Sequence, residues 1–208
     1  MLAPLRFTAL RGETGSTLVE LVVSMTILFA VGVWWSGMMT ATAKTGGRIQ
    51  ELASLQTEVR AAVDGVASDL RQAACNATIA PVTTATGTQI TFYSPDRATT
   101  YHLRQISYRL VADSRWAGRY QLERAFATSS NTGGPPWTIP ALGAFAKRIG
   151  SATNATAFTY RDANGNVTAT ASAVASVNVT LTVAPHPGLS GPSTTYQTNI
   201  DLRATTCS

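Results

Sequence analysis

Lysine is nearly missing from this chain of 208 residues: only Lys44 and Lys147 occur, and arginine carries the positive charge. Charged residues of all kinds make up 13%. The net charge of +5 is spread without a dense Lys/Arg run, so a nucleic-acid groove is not expected. Cysteine is limited to Cys75 and Cys207, and histidine to His102 and His186. No Cys-x-x-Cys pair and no Cys/His cluster appears, which excludes the usual zinc patterns. Gly-rich phosphate loops and nucleophile-elbow patterns are absent too. With so few groups able to do chemistry, neither catalysis nor a cofactor nor a bound metal is expected. A structural or assembly role comes first.

What the chain does have is one long apolar run. Residues 1–15, MLAPLRFTALRGETG, are weakly basic through Arg6 and Arg11, with Glu13 opposing. Leu18 to Met39 then runs apolar with Glu20 as its one formal charge. Such a run of about 22 residues makes a helix of roughly 33 Å, enough to cross a bilayer. Arginine on its N-terminal side predicts a cytoplasmic N-terminus and an exported C-terminal part. The apolar core is too long for a secretory signal, and no small-x-small cleavage site follows it. A carboxylate near a helix end can reach the interface, so a plain signal anchor with a tolerated Glu20 is one reading.

The residues around Glu20 support a more specific reading. Gly15-Ser16-Thr17-Leu18-Val19-Glu20-Leu21 resembles the class III signal of type IV pilins and type II secretion pseudopilins. In that family a prepilin peptidase cuts after a glycine on the cytoplasmic side, the apolar helix is retained, and the new N-terminus is methylated. The resemblance implies a cut between Gly15 and Ser16, methylation at Ser16, and Glu20 as the fifth mature residue. The family usually has Phe or Met where this chain has Ser16. It further implies an assembly role for Glu20, paired with the amine of a neighbouring subunit. The implied partners are the prepilin peptidase, other pilin or pseudopilin subunits in a filament, and inner-membrane assembly machinery.

Residues 48–74 carry an apolar stripe at spacings of three and four: Ile49, Leu52, Leu55, Val59, Ala62, Val63, Val66, Leu70 and Ala73. This predicts an amphipathic helix packed on a sheet. Gly46-Gly47 marks a kink or a melted joint between the two helical halves. After Cys75 the composition favours strands, expected at 88–94, 104–110, 120–127, 176–184 and 194–204, with two more around a turn in 153–171. Segments 129–140 and 184–193 read as loops.

The predicted class is α+β, a long N-terminal α-helix packed on a C-terminal antiparallel β-sheet. That is also the pilin architecture. The expected divisions are a leader (1–15), a transmembrane and assembly segment (16–40), an amphipathic continuation (41–75) and a β-rich head (76–208). The fragments ISYRL, LERA, FTYRDANG, VNVTLTV and IDLRA, in that order, resemble PilW-type minor pilins and J-type minor pseudopilins. The expected function is that of a minor pilin, inserted in the inner membrane with its head outside the cytoplasm, which primes assembly or presents the head. A J-type pseudopilin of type II secretion is the nearest alternative. A DNA-uptake pilin is a further one, through Arg97, Arg104, Arg109, Arg115 and Arg119.

Smaller signals complete the reading. Cys75 and Cys207, both on the exported side, are expected to form a disulfide, the alternative being two thiols. A bridge enclosing roughly 130 residues contributes on the order of 4–5 kcal/mol in the chain-entropy model. Asp162-Ala163-Asn164-Gly165-Asn166 reads as a hairpin turn, with a calcium loop as the weaker alternative. Sequons at Asn76, Asn154, Asn166 and Asn178 arise readily in a Thr-rich chain and carry no assignment. Trp116, Trp137, Tyr101, Tyr108 and Tyr120 are expected in core packing or loop anchoring rather than a binding surface.

Overall fold

The computed structural model describes residues 17–73, 80–96, 102–131, 136–185, 187 and 191–202. Gly15, Ser16, Cys75 and Cys207 lie outside the described residues, and so do Asn76, Arg97, Tyr101 and His186. The chain divides into two units, up to Ile49 and from Gln50 onward.

Helix α1 runs Thr17–Arg71. It passes through Gly46 and Gly47 without a break, so the expected joint is not melted. Two glycines cost a helix about 1 kcal/mol each relative to alanine. One long helix absorbs that cost because propagation needs no new nucleus on the far side. The unit boundary nevertheless falls just past the pair, at Ile49.

In the second unit, the predicted stripe is the buried face of α1. Val59, Val66 and Leu70 are fully buried, Leu55, Val63 and, just past the helix end, Ala73 nearly so, and Ala62 is half-buried; Ala67, outside the stripe, is buried as well. Burying each Val or Leu side chain contributes roughly 1.5–3 kcal/mol. Leu52 is half-buried, and Ile49, the outermost stripe residue, is exposed.

Among the described residues, eight strands cover this face: β1 (Val82–Ala85), β2 (Gln89–Asp96), β3 (His102–Ala112), β4 (Tyr120–Thr128), β5 (Ala146–Ala152), β6 (Phe158–Arg161), β7 (Ser176–Val183) and β8 (Thr194–Asp201). All pairings are antiparallel. Ile90, Phe92, Ile106, Leu122, Ile149, Val177, Val179, Leu181 and Ile200 join the helix in one core. The architecture is therefore the expected α+β one.

Two strands were not legible from composition. β1 is only four residues, and β5, AKRIGSA, lacks alternating apolar residues. The second strand expected after Asn164-Gly165 does not form. Arg161 makes a single bridge to Val167, and residues 171–173 then form a 3-10 turn. The turn itself is present: Gly165 sits at φ +82°, and the Asp162 carboxylate accepts the backbone N–H groups of Asn164 and Asn166, both at 2.9 Å.

β8 pairs with β7 along its whole length, so β5 and β6 share the other edge of β7. β5 meets it at Val183 and β6 at 176–179. Asn154 fills the gap between them. Its amide donates to the carbonyls of Thr156 and Thr180, and its oxygen accepts from Thr182 N at 2.8 Å. This asparagine mends a broken ladder, a structural role that accounts for it without any glycan. The curled sheet is also tied across its ends. Gly87 O accepts from the backbone N–H groups of Ala157 and Phe158, at 2.8 and 3.1 Å. A Cβ at Gly87 would lie 3.1 Å from Thr156 Cγ2, so the close approach favours glycine.

Candidate functional site

Two places carry the candidate functional residues, one in each unit. In the first, Leu18, Val19, Leu21, Val22, Val23, Met25, Ile27, Leu28, Phe29, Val31, Val33, Trp34, Trp35, Met38 and Met39 are all exposed. A helix face this apolar, exposed among the described residues, needs an apolar surrounding. By length and composition α1 is able to cross a membrane. Its hydroxyls suit that setting. Thr26, Thr40, Thr42 and Thr45 each donate to the carbonyl four residues back, and Ser36 to Val33 O at 2.9 Å. A hydroxyl satisfied within its own helix is not left bare in lipid. Glu20 lies in the first turn of α1, where the helix dipole favours negative charge.

The second place is the junction between α1 and the sheet. Asp69 projects from the last turns of the helix and is met by two sheet residues. Tyr108 Oη donates to Asp69 Oδ2 at 2.6 Å, and Arg124 Nε donates to the same oxygen at 2.9 Å. Tyr108 and Arg124 are cross-strand partners on β3 and β4, which brings both to one helix position. The Arg124 guanidinium also lies 5.3 Å from the Phe126 ring centre and 5.9 Å from that of Tyr108. A cavity of about 250 Å³ opens beside the triad, lined by Ala61, Gly65, Ser68 and Arg148 among others.

Burial and the neighbouring Asp69 push the Tyr108 phenol well above its ordinary range. Burial opposes the charge of Arg124, but Tyr108 and Asp69 more than offset it and hold its proton more firmly. Tyr160 is raised as well, chiefly by burial. Its hydroxyl lies 2.8 Å from Thr86 O and 2.9 Å from Gln89 O. In the unfolded chain both phenols ionise at about 10. The folded head keeps both protons to higher pH, so above that point it binds more protons than the unfolded chain. Stability is complete below about pH 10 and falls as pH rises through the folded values. A melting temperature measured against pH is expected to drop in the alkaline range, and the drop is expected to shrink in a Tyr108→Phe, Tyr160→Phe variant. A flat alkaline profile contradicts this assignment.

Of the arginines considered for DNA, the four among the described residues are each engaged within the chain. Arg109 chelates Glu123 Oε2 through Nε and Nη2, each at 2.8 Å, and stacks 3.7 Å from the Phe145 ring centre. Arg119 donates to Ala184 O and Pro185 O, tying down the start of the β7–β8 loop. Arg115 pairs with the buried Asp113, whose carboxyl is held below its usual range, first by the Arg115 backbone N–H. Arg104 lies 3.9 Å from Asp96. Tyr108 is in the core, Tyr120 packs against it, Trp137 is half-buried and Trp116 is exposed near the β3–β4 turn. Among the described residues, no three His, Cys, Asp or Glu side chains gather to hold a metal ion.

Sequence reading had no signal for the Asp69–Tyr108–Arg124 triad. Its members are 39 and 55 residues apart along the chain, and only the β3–β4 register makes them neighbours. Comparison with protein-family models, with curated proteins and with solved structures finds no match.

Proposed function

We propose that this chain is a minor subunit of a type IV pilus or a related filament, cut after Gly15 by a prepilin peptidase and assembled through the first half of α1. The observation that carries this reading is the make-up of α1. Glu20 stands in its first turn, an exposed apolar surface follows, and the same helix then becomes the buried spine of a β-rich head. Immediately before it stands Gly15-Ser16, the expected cut. The exposed apolar half suits both lipid and the packed interior of a filament, so a subunit can pass from one to the other without losing apolar burial. The function on this reading is mechanical, and the chain itself performs no catalysis.

The J-type pseudopilin reading shares all of this physics and differs only in the machinery served. The internal pairing of Arg104, Arg109, Arg115 and Arg119 weighs against DNA uptake. The test is recovery of an epitope-tagged full chain in sheared surface filaments from a bacterium carrying type IV pilus machinery. A parallel strain carries type II secretion machinery. Recovery from the first supports the pilus reading, and recovery from the second alone supports the pseudopilin. A chain that stays in the membrane fraction of both contradicts the proposal.

A further inference from the structure

The two ends of the sheet are built differently. β1, at one end, is four residues long, and its register is broken between Val82 and Thr84. Short length and irregularity are the devices that keep a sheet edge from recruiting another strand. β8, at the other end, has neither. It is eight residues long, and its pairing with β7 runs from Thr194 to Asp201 without a bulge. The segment TTYQTNID contains no lysine, arginine or proline to blunt it. Among the described residues, β8 pairs with β7 and with nothing on its outer side.

We infer that the outer edge of β8 is a docking edge for β8 of a second copy of this chain, joining two sheets antiparallel across a two-fold axis. The choice of a second copy rests on self-complementarity. Residues directly opposite one another in an antiparallel pair share a face. Thr194, Tyr196, Thr198 and Ile200 lie on the core face, opposite Val183, Leu181, Val179 and Val177 of β7. Thr195, Gln197, Asn199 and Asp201 are exposed on the other face. The axis then passes through Gln197 or Thr198. In the first register Gln197 faces Gln197 of the second copy and Thr195 faces Asn199. In the second, Gln197 faces Asn199, and Tyr196 faces Ile200, whose side chain is already buried in its own core. Asp201, the one charge in the strand, meets its own counterpart in neither register. An isologous contact of this kind closes on itself and stops at two copies. It does not depend on the filament reading.

The test uses the full chain in detergent micelles. The molecular mass by light scattering is expected to be that of a dimer at high micromolar concentration. Gln197→Lys with Asn199→Lys places lysine opposite lysine in either register, on side chains that face solvent, and is expected to weaken the dimer by about tenfold or more. The apolar half of α1 could also bring copies together, and a dimer untouched by the two lysines overturns the inference in favour of that contact. A chain that is monomeric throughout overturns it as well. Hydrogen exchange reads the same edge without any mutation. Amides of 194–201 are expected to slow on dimerisation while those of 82–85 do not, and equal behaviour of the two edges counts against the inference.

Discussion

Glu20→Gln is expected to leave membrane insertion and removal of the leader intact, and to lower incorporation into filaments by about tenfold or more. On the filament reading, cleavage after Gly15 creates an amine at Ser16, four residues from Glu20. Neither an ammonium nor a carboxylate is stable alone in lipid, where a single charge costs roughly 2.5–3.5 kcal/mol at the bilayer centre by the mildest scales and less near a helix end. Within one helix, positions four apart lie on the same face, so an isolated subunit has its own compensation available. On the filament reading, when helices pack side by side, the amine of one copy and the carboxylate of the next exchange partners. The net gain in stability is small, but only one axial offset brings the two charges together. That is how a buried polar residue selects register in a coiled coil. Glutamine keeps the shape and removes the charge, which isolates this effect. Incorporation of the Glu20→Gln chain at the wild-type level, read by immunoblot of sheared filaments, contradicts the pairing.

Asp69→Ala is expected to destabilise the head by about 1.5–3 kcal/mol. The side chains of Asp69 and Arg124 are only 18% and 15% exposed, so water cannot replace the lost partner fully. Removing the carboxylate leaves Arg124 charged and uncompensated under the helix, and takes away the acceptor of Tyr108 as well. Against a typical domain stability of about 5–15 kcal/mol, this is a substantial fraction of the whole. The double change Asp69→Ala, Arg124→Met removes both charges and is expected to recover most of the loss. Thermal melts of the full chain in detergent measure both variants. A loss under about 1 kcal/mol for Asp69→Ala, in the range of an exposed pair, contradicts the role given to this triad.

The outline of the fold was legible in the sequence because it rests on periodicity. The stripe from Leu55 to Ala73 repeats every three to four residues, and SVNVTLTV alternates with a period of two, so each announces its buried face. β5 was hidden because AKRIGSA owes its strand state to pairing with β4 and not to its own preference. The strand expected after Gly165 failed for the converse reason: favourable composition found no continuous partner beyond the Arg161–Val167 bridge. Gly46-Gly47 does not melt the helix, because propagation from the turns on either side outweighs the weak local propensity of two glycines. Glu20 was legible at once as a charge inside an apolar run. Asp69 was not, since an acidic residue on an amphipathic helix ordinarily faces water. Only the register of Tyr108 opposite Arg124 reveals what it binds.

The filament reading rests on an amine that exists only after the leader is gone. Mass spectrometry of the intact protein, purified from cells that make a prepilin peptidase, tests this most directly. The reading predicts a chain that begins at Ser16, with or without one added methyl group. A chain that still carries residues 1–15 in the presence of an active peptidase contradicts it.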